Sequence, residues 1–178
     1  MPNIIDEGSL RFTFPDEWNS IKFDDTNFYR DRLDKLNNTK AIDILAKYEN
    51  TLHFIEVKDF RQHRIENQQR QTSGELMIEV AQKFRDTLAG LVGAARWNNE
   101  NLSVYFQQLL EHPNDKIEVV LFLERDDTEK VLAHKKIAHA DLKNTLQQLL
   151  KAYNVRCRIL SIDTLPRDSL WTVINNPA

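Results

Sequence analysis

The sequence is poor in cysteine, in glycine and in long hydrophobic runs, and each shortage excludes a class of protein. The one cysteine among 178 residues, Cys157, cannot form an internal disulfide, which favours a reducing cytoplasm over a disulfide-stabilised secreted domain. The longest apolar stretches, 88–95 and 119–123, are far shorter than the roughly 20 residues that a membrane-spanning helix needs. The four glycines form neither a phosphate-binding loop nor a nucleophile elbow, which excludes common nucleotide triphosphatases and α/β-hydrolases.

The remaining composition is that of an ordinary globular protein. Hydrophobic residues make up 41% of the chain and charged residues 29%. No repeat, low-complexity tract or linker divides the sequence, so we expect residues 1–178 to form a single domain. The net charge is −3, yet residues 130–158 carry seven basic residues against one acidic residue. This separation of charge can steer a polyanion to one face of the protein, although solvated helix faces explain it equally well.

Hydrophobic periodicity predicts strands that alternate with helices. The predicted strands lie at 10–14, 41–47, 52–58, 117–123 and 155–162. The predicted helices lie at 25–36, 72–95, 101–111 and 141–153. The second and third strands flank a short polar turn and predict a β-hairpin, and the fourth is apolar throughout, which is typical of a buried parallel strand. This order indicates an α/β fold with a mixed central sheet and helices on both faces.

The predicted hairpin brings charged side chains together. If its turn is centred on Glu49 and Asn50, Asp43 lies directly opposite Glu56. Carboxylates that face each other across neighbouring strands, with Cβ atoms about 5 Å apart, repel each other unless a positive charge lies between them. A divalent cation such as Mg²⁺, which prefers oxygen ligands, removes this conflict. Lys58 could then orient an attacking water and stabilise charge on a phosphate, although a salt bridge on a solvated sheet face is the alternative.

Asp43 and the segment Ile55-Glu56-Val57-Lys58, set in the order helix, strand, hairpin, helix, strand, resemble the PD-(D/E)XK nuclease superfamily, which includes restriction endonucleases and Holliday-junction resolvases. The resemblance covers residues 25–123. It implies a restriction endonuclease-like fold and hydrolysis of phosphodiester bonds, expected in DNA, with Mg²⁺ or Mn²⁺ as cofactor. In that family the matching Asp43 and Glu56 bind the metal, Val57 lends its carbonyl oxygen, and Lys58 is the catalytic lysine that positions the water.

Some parts of such a site stay open in the sequence. The proline that the family places before the aspartate is Ile42 here. The family often adds an acid from the first helix, and Glu17, Asp31 and Asp34 compete for that role. Contacts with the nucleic-acid backbone are expected from basic residues that follow the hairpin, although solvated loop charges are the alternative. These residues are Arg61, Arg64, Arg70 and Lys83.

Two functions are compatible with these features. The first is a metal-dependent endonuclease that acts on DNA in the cytoplasm and is not attached to a membrane. The resemblance adds the expectation of a homodimer, because a small nuclease often needs a second active site to cut both strands. The second is a nuclease-like domain that no longer cuts and serves as a protein or nucleic-acid interaction module, since a fold does not determine a function.

Overall fold

A computed structural model describes residues 1–61, 74–125 and 139–176 of the chain. The strands are β1 (Asn3–Glu7), β2 (Leu10–Phe14), β3 (Asn19–Lys22), β4 (Ile44–Tyr48), β5 (Thr51–Asp59), β6 (Lys116–Glu124), β7 (Arg156–Leu160) and β8 (Thr172–Asn175). The helices are α1 (Tyr29–Leu33, a π-helical segment), α2 (Glu75–Arg96), α3 (Ser103–Glu111) and α4 (His139–Leu149). Together they form a mixed α/β structure, and no helix in these ranges has both the length and the hydrophobicity to cross a bilayer.

The larger of two sheets has the strand order β3-β4-β5-β6-β7. β4 and β5 pair antiparallel with Ile44 opposite Ile55, so the predicted hairpin and its register are confirmed. β6 lies parallel to both β5 and β7, which confirms the arrangement predicted from its unbroken apolar run. Strands buried on both faces need apolar side chains at nearly every position, and β6 supplies them from Val119 to Leu123.

The two faces of this sheet are covered differently. α2, α3 and α4 cover one face through a core that includes Phe54, Phe84 and Leu121. A three-stranded sheet of order β1-β2-β8 covers the other face, where Phe12 and Phe122 make an edge-to-face contact at 5.2 Å. The prediction of helices on both faces is therefore wrong for the described residues. Since β5, β6 and β7 follow one another in a single direction, right-handed crossovers place their connecting helices on the same face.

Both faces of the β4–β5 hairpin are buried. Leu45 and Phe54 pack in the helix-side core, and Ile44 and Ile55 pack against the small sheet. Strict alternation along a strand would place Ile42 on the same face as Ile44, but Ile42 precedes the first paired residue of β4 and lies in the helix-side core. The charged end of the hairpin is therefore framed by apolar layers on both sides.

The sequence pattern does not predict β1, β3 and β8, and most of the first predicted helix is absent. β1 and β8 each contain one buried residue and β3 contains none, so they lack the alternation that identifies a strand. The helix predicted at 25–36 is limited to a short segment around α1. Its first turn is capped by Thr26, whose Oγ1 accepts a hydrogen bond of 3.1 Å from Tyr29 N.

Two glycines in α2 lie where α1 packs against it. A Cβ atom at Gly90 would come within 2.5 Å of Leu33 Cδ1, so a larger residue there would have to displace that side chain. A Cβ atom at Gly93 would meet Phe28 Cζ at 3.7 Å, an ordinary van der Waals contact. Gly90 therefore permits the close approach of α1, and Gly93 is not required for it.

Gly93→Ala should raise the free energy of unfolding by about 1 kcal/mol, because alanine costs less conformational entropy in a helix and meets no obstruction here. Urea denaturation of the variant and of the wild-type protein measures the difference. Gly90→Ala is the matched control, and its free energy of unfolding should rise less because the Leu33 side chain must shift. A loss of stability in Gly93→Ala would contradict the packing of α1 on α2.

Candidate functional site

Asp43 lies just before β4, where the backbone is fixed from two directions. The sequence places it inside the strand, whereas β4 begins at Ile44. Asp43 O accepts a hydrogen bond of 2.8 Å from Phe23 N, and Ile42 N donates to Thr87 Oγ1 of α2 at 2.9 Å. The Asp43 carboxylate accepts a hydrogen bond of 2.7 Å from Val57 N. Its position therefore depends on α2 as well as on the hairpin.

Thr87→Val should lower the free energy of unfolding by about 1–2 kcal/mol, because the shape of the side chain is kept while the buried Ile42 N–H loses its acceptor. Urea denaturation measures this loss. Thr145→Val on α4 is the matched control, since Thr145 is exposed and donates only to Asp141 O in its own helix. Equal losses of stability from the two substitutions would show that Thr87 does not stabilise the backbone at Ile42, just before β4.

Glu56 is the most deeply buried acid of the site, with 0% of its surface exposed. Its Oε1 atom lies 2.7 Å from Lys83 Nζ and 2.9 Å from Lys58 Nζ. Lys83 Nζ also lies 3.3 Å from Asp43 Oδ1. The predicted residues Asp43, Glu56 and Lys58 therefore come together on one side of the sheet, and a lysine ammonium lies between the two carboxylates.

Glu79 completes this group from α2. Lys58 Nζ donates a hydrogen bond of 3.1 Å to Glu79 Oε1, so Lys58 is held between two carboxylates. Glu79 and Lys83 lie four residues apart and so occupy the same face of the helix. The sequence pattern does not identify Glu79. The signal that could have identified it is its four-residue spacing from Lys83, beside the buried apolar residues of α2. We call Asp43, Glu56, Lys58, Glu79 and Lys83 the charge cluster.

Burial dominates the electrostatics of the charge cluster. Loss of hydration, followed by the negative charge of Asp43, raises the pKa of Glu56 to about 7. Burial alone would lower the pKa of Lys83, but the charges of Glu56 and Asp43 outweigh it and raise that pKa. The pKa of Lys58 is raised for the same reason, with Glu56 as the main opposing charge. Both lysines are therefore cationic at neutral pH, while Glu56 is poised between its two protonation states.

Asp24 is a further acid near the site that the sequence does not identify. It follows Phe23, whose N–H bonds to Asp43 O. Burial and the charge of Asp43 raise the pKa of Asp24 to about 6. Its Oδ1 atom is buried without a hydrogen-bond partner among the residues that the structure describes. The three candidates from the sequence, Glu17, Asp31 and Asp34, are all exposed.

Of the four basic residues expected to contact a nucleic-acid backbone, the structure describes Arg61 and Lys83. Arg61 makes a two-point contact with Asp59, at 2.8 and 2.6 Å, and donates to Asn175 Oδ1 of β8 at 2.6 Å. These bonds tie the end of β5 to the small sheet. Burial acts to raise the pKa of Asp59, but the hydrogen bonds from Arg61 and Ser9 outweigh it and lower that pKa to about 2. Lys83 lies inside the charge cluster. Arg64 and Arg70 lie outside the described residues.

The described residues contain no group of three His, Cys, Asp or Glu side chains arranged to hold a metal ion. Two carboxylates do share one cation position, however, and Mg²⁺ commonly takes one or two protein carboxylates and keeps several waters. Both oxygens of Glu56 are buried, and neither makes a regular hydrogen bond within the described chain. The Val57 carbonyl points to the same edge as its N–H, towards Asp43. These oxygen donors are of the kind that Mg²⁺ and Mn²⁺ take, and in this structure the ammonium of Lys83 lies between the two carboxylates.

Comparisons with known proteins give little direct information on this site. Residues 26–173 match a family of unknown function, DUF6661. The chain is 26% identical over 199 aligned positions to the cysteine–tRNA ligase of Neisseria meningitidis serogroup A. That alignment covers 97% of this chain and 28% of the ligase, so the chain spans little more than a quarter of the relative. No solved structure matches the chain.

Proposed function

The chain belongs to the DUF6661 family, and we propose that it is a divalent-metal-dependent nuclease with a restriction endonuclease-like fold. One observation carries the proposal: Asp43, Glu56 and Lys58 converge at one end of the β4–β5 hairpin, where Lys83 Nζ lies between the two carboxylates. The mixed sheet, its antiparallel hairpin and the parallel strand that follows α2 support the fold. DNA is the expected substrate.

The burial of Glu56 argues that the charge cluster is not there for stability. Removing charged groups from water is expensive, and apolar residues of similar volume often stabilise a protein better than a buried ion pair. Glu56 is completely buried in β5, where the two preceding residues, Phe54 and Ile55, each pack in one of the two hydrophobic cores. Strongly shifted pKa values of this kind concentrate at functional sites.

Four members of the charge cluster would have a task in hydrolysis. Asp43 and Glu56 would hold the cation, which when bound supplies a Lewis acid and a more acidic water. Lys58 would donate a hydrogen bond to the attacking water and stabilise negative charge on the phosphate. Its side chain is 21% exposed, so the ammonium can reach a substrate while Glu56 and Glu79 fix its direction. Burial of Glu56 keeps bulk water away from the metal ligands.

A second candidate is the interaction module without catalysis. Lys83 favours it, because its ammonium already supplies the positive charge that two facing carboxylates require. If the ammonium never leaves, the charge cluster is electrostatically complete without a metal ion. The two candidates therefore differ in whether Asp43 and Glu56 ever exchange this partner.

Incubation of the purified full-length protein with nucleic acid separates the two candidates. The substrates are plasmid DNA, single-stranded DNA and tRNA, the last because the N. meningitidis relative is a tRNA ligase. We expect cleavage in Mg²⁺ or Mn²⁺ that EDTA abolishes and that Asp43→Asn removes. Asp168→Asn, which changes an exposed aspartate outside the charge cluster, should cleave like the wild-type protein. Absence of cleavage on all substrates would favour the module, and equal cleavage by Asp43→Asn would refute the assigned site.

A further inference from the structure

We propose that Lys83 is a built-in counter-ion: it occupies the cation position between Asp43 and Glu56, and a divalent cation binds by displacing its ammonium. This inference rests on the proposed function, because it concerns how the same two carboxylates acquire a metal ion. The sequence predicts Lys83 as a contact for nucleic acid. The structure places its Nζ atom 2.7 Å from Glu56 Oε1 and 3.3 Å from Asp43 Oδ1.

The two lysines of the charge cluster are held in different ways. Lys58 is anchored between Glu56 and Glu79, and Glu79 is not one of the predicted metal ligands. Both ionic contacts that the structure gives Lys83 are with the predicted ligands themselves. A cation that binds Asp43 and Glu56 would therefore occupy both partners of Lys83, whereas Lys58 would still contact Glu79.

Simultaneous occupation of the position is disfavoured on electrostatic grounds. Mg²⁺ lies about 2.0–2.1 Å from its oxygen ligands, so an ammonium that stayed in contact with the same oxygens would lie within a few ångströms of a doubly charged ion. At that distance, in a partly buried site, the repulsion between like charges is large. Movement of the carboxylates to relieve it is restricted, because Val57 N holds Asp43 by a hydrogen bond and Glu56 is completely buried.

Lys83 has a way out of the site. Its side chain is 16% exposed, so part of it already reaches solvent. A lysine stem has four flexible carbons and can stay packed while the charged end moves into water. Exchange therefore requires a change of side-chain rotamer and no movement of α2.

Calorimetric titration of Mn²⁺ into the protein without nucleic acid tests the exchange. Lys83→Met removes the charge and keeps the stem, so we expect Mn²⁺ to bind about tenfold more tightly than to the wild-type protein. Arg85→Met is the matched control. It removes one positive charge from the same helix, where Arg85 contacts Asp86 and has 58% of its side chain exposed, and its affinity should stay within about twofold of wild type.

The outcomes separate this inference from the proposed function. Wild-type protein that binds Mn²⁺ with the same affinity as Lys83→Met, or more tightly, would overturn the exchange and leave the metal site intact. Mn²⁺ binding by Lys83→Met alone would also overturn it, because the ammonium would then be a permanent replacement for the metal. If no variant binds Mn²⁺, the proposed function fails and the exchange fails with it.

A second measurement uses only the wild-type protein, so it does not depend on how Lys83→Met folds. Lysines are acetylated with and without saturating Mn²⁺, and the modified peptides are quantified by mass spectrometry. We expect the labelling of Lys83 to rise about fivefold or more with Mn²⁺, because its ammonium moves into water. Labelling of Lys35, an exposed lysine outside the charge cluster, should stay constant. An unchanged Lys83 signal at saturating Mn²⁺ would contradict the exchange.

Discussion

Lys58→Met should reduce metal-dependent cleavage by about a hundredfold or more while Mn²⁺ binding stays within a few-fold of wild type. The physical reason is that Lys58 touches the predicted ligand Glu56 through its ammonium but is not itself a ligand. Its removal takes away the donor to the attacking water and the positive charge beside the phosphate. Single-turnover cleavage assays, together with calorimetric Mn²⁺ titrations, measure the two effects separately.

Two comparisons make this prediction specific. Lys47→Met removes a lysine from the opposite end of the same hairpin, where Lys47 donates to Glu49 O, and it should cleave like wild type. Lys83→Met should retain cleavage, because Lys83 is expected to leave when the metal binds. If Lys83→Met were inactive and Lys58→Met active, Lys83 and not Lys58 would be the catalytic lysine.

Glu56→Gln should make the metal-free protein more stable above pH 7, by an amount on the order of 3 kcal/mol. The folded-state pKa of Glu56, about 7, lies above the ordinary value of 4.5, so between these values the folded protein binds more protons than the unfolded chain. Wild-type stability therefore falls as the pH rises through this window, and glutamine, which has no proton to lose, removes this contribution. Urea denaturation in EDTA at a series of pH values measures the difference between the two proteins.

A second buried glutamate provides a control of opposite sign. Glu118 lies near His53, with 3.4 Å between its Oε2 atom and Nδ1 of the histidine. Burial acts to raise the pKa of Glu118, but the hydrogen bond and charge of His53 and the charges of two arginines outweigh it and lower that pKa. Glu118→Gln should therefore lower stability at neutral pH, with a difference that shrinks below about pH 4.5. The same sign of effect at both positions would contradict the electrostatics assigned to Glu56.

The opposite signs expected for these two glutamates have a functional interpretation. A carboxylate that is retained although it destabilises the folded protein is typical of a site that needs its charge. A cation of higher charge than an ammonium at the shared position would make the charge of Glu56 favourable to the folded protein. We therefore expect Mn²⁺ to raise the free energy of unfolding of the wild-type protein until it exceeds that of Glu56→Gln.

The hairpin and its pairing could be predicted because they depend on local patterns. The turn at 49–50 fixes which residues face each other, and the apolar run in β6 indicates a buried parallel strand. The register predicts that Asp43, Glu56 and Lys58 lie close together, although Asp43 precedes β4 and its backbone is also held by Thr87 of α2 through Ile42. A site assembled within one hairpin is within reach of sequence analysis.

The remainder of the charge cluster could not be predicted, because it depends on how α2 docks on the sheet. Glu79 and Lys83 reach the site from a helix about 20 to 40 positions along the chain from their partners. Asp24 reaches its place through the bond between Phe23 N and Asp43 O. The sequence correctly requires a positive charge between two facing carboxylates, but it does not reveal that a lysine supplies one in the absence of metal.

The most direct measurement is a crystal structure of the protein grown with Mn²⁺, with diffraction data collected at the manganese absorption edge. We expect one anomalous peak in contact with carboxylate oxygens of Asp43 and Glu56, with the ammonium of Lys83 withdrawn from both. Crystals of Glu56→Gln grown in the same way should lack the peak. An anomalous map without a peak between these two carboxylates, with Lys83 still bridging them, would contradict a metal-dependent nuclease at this site.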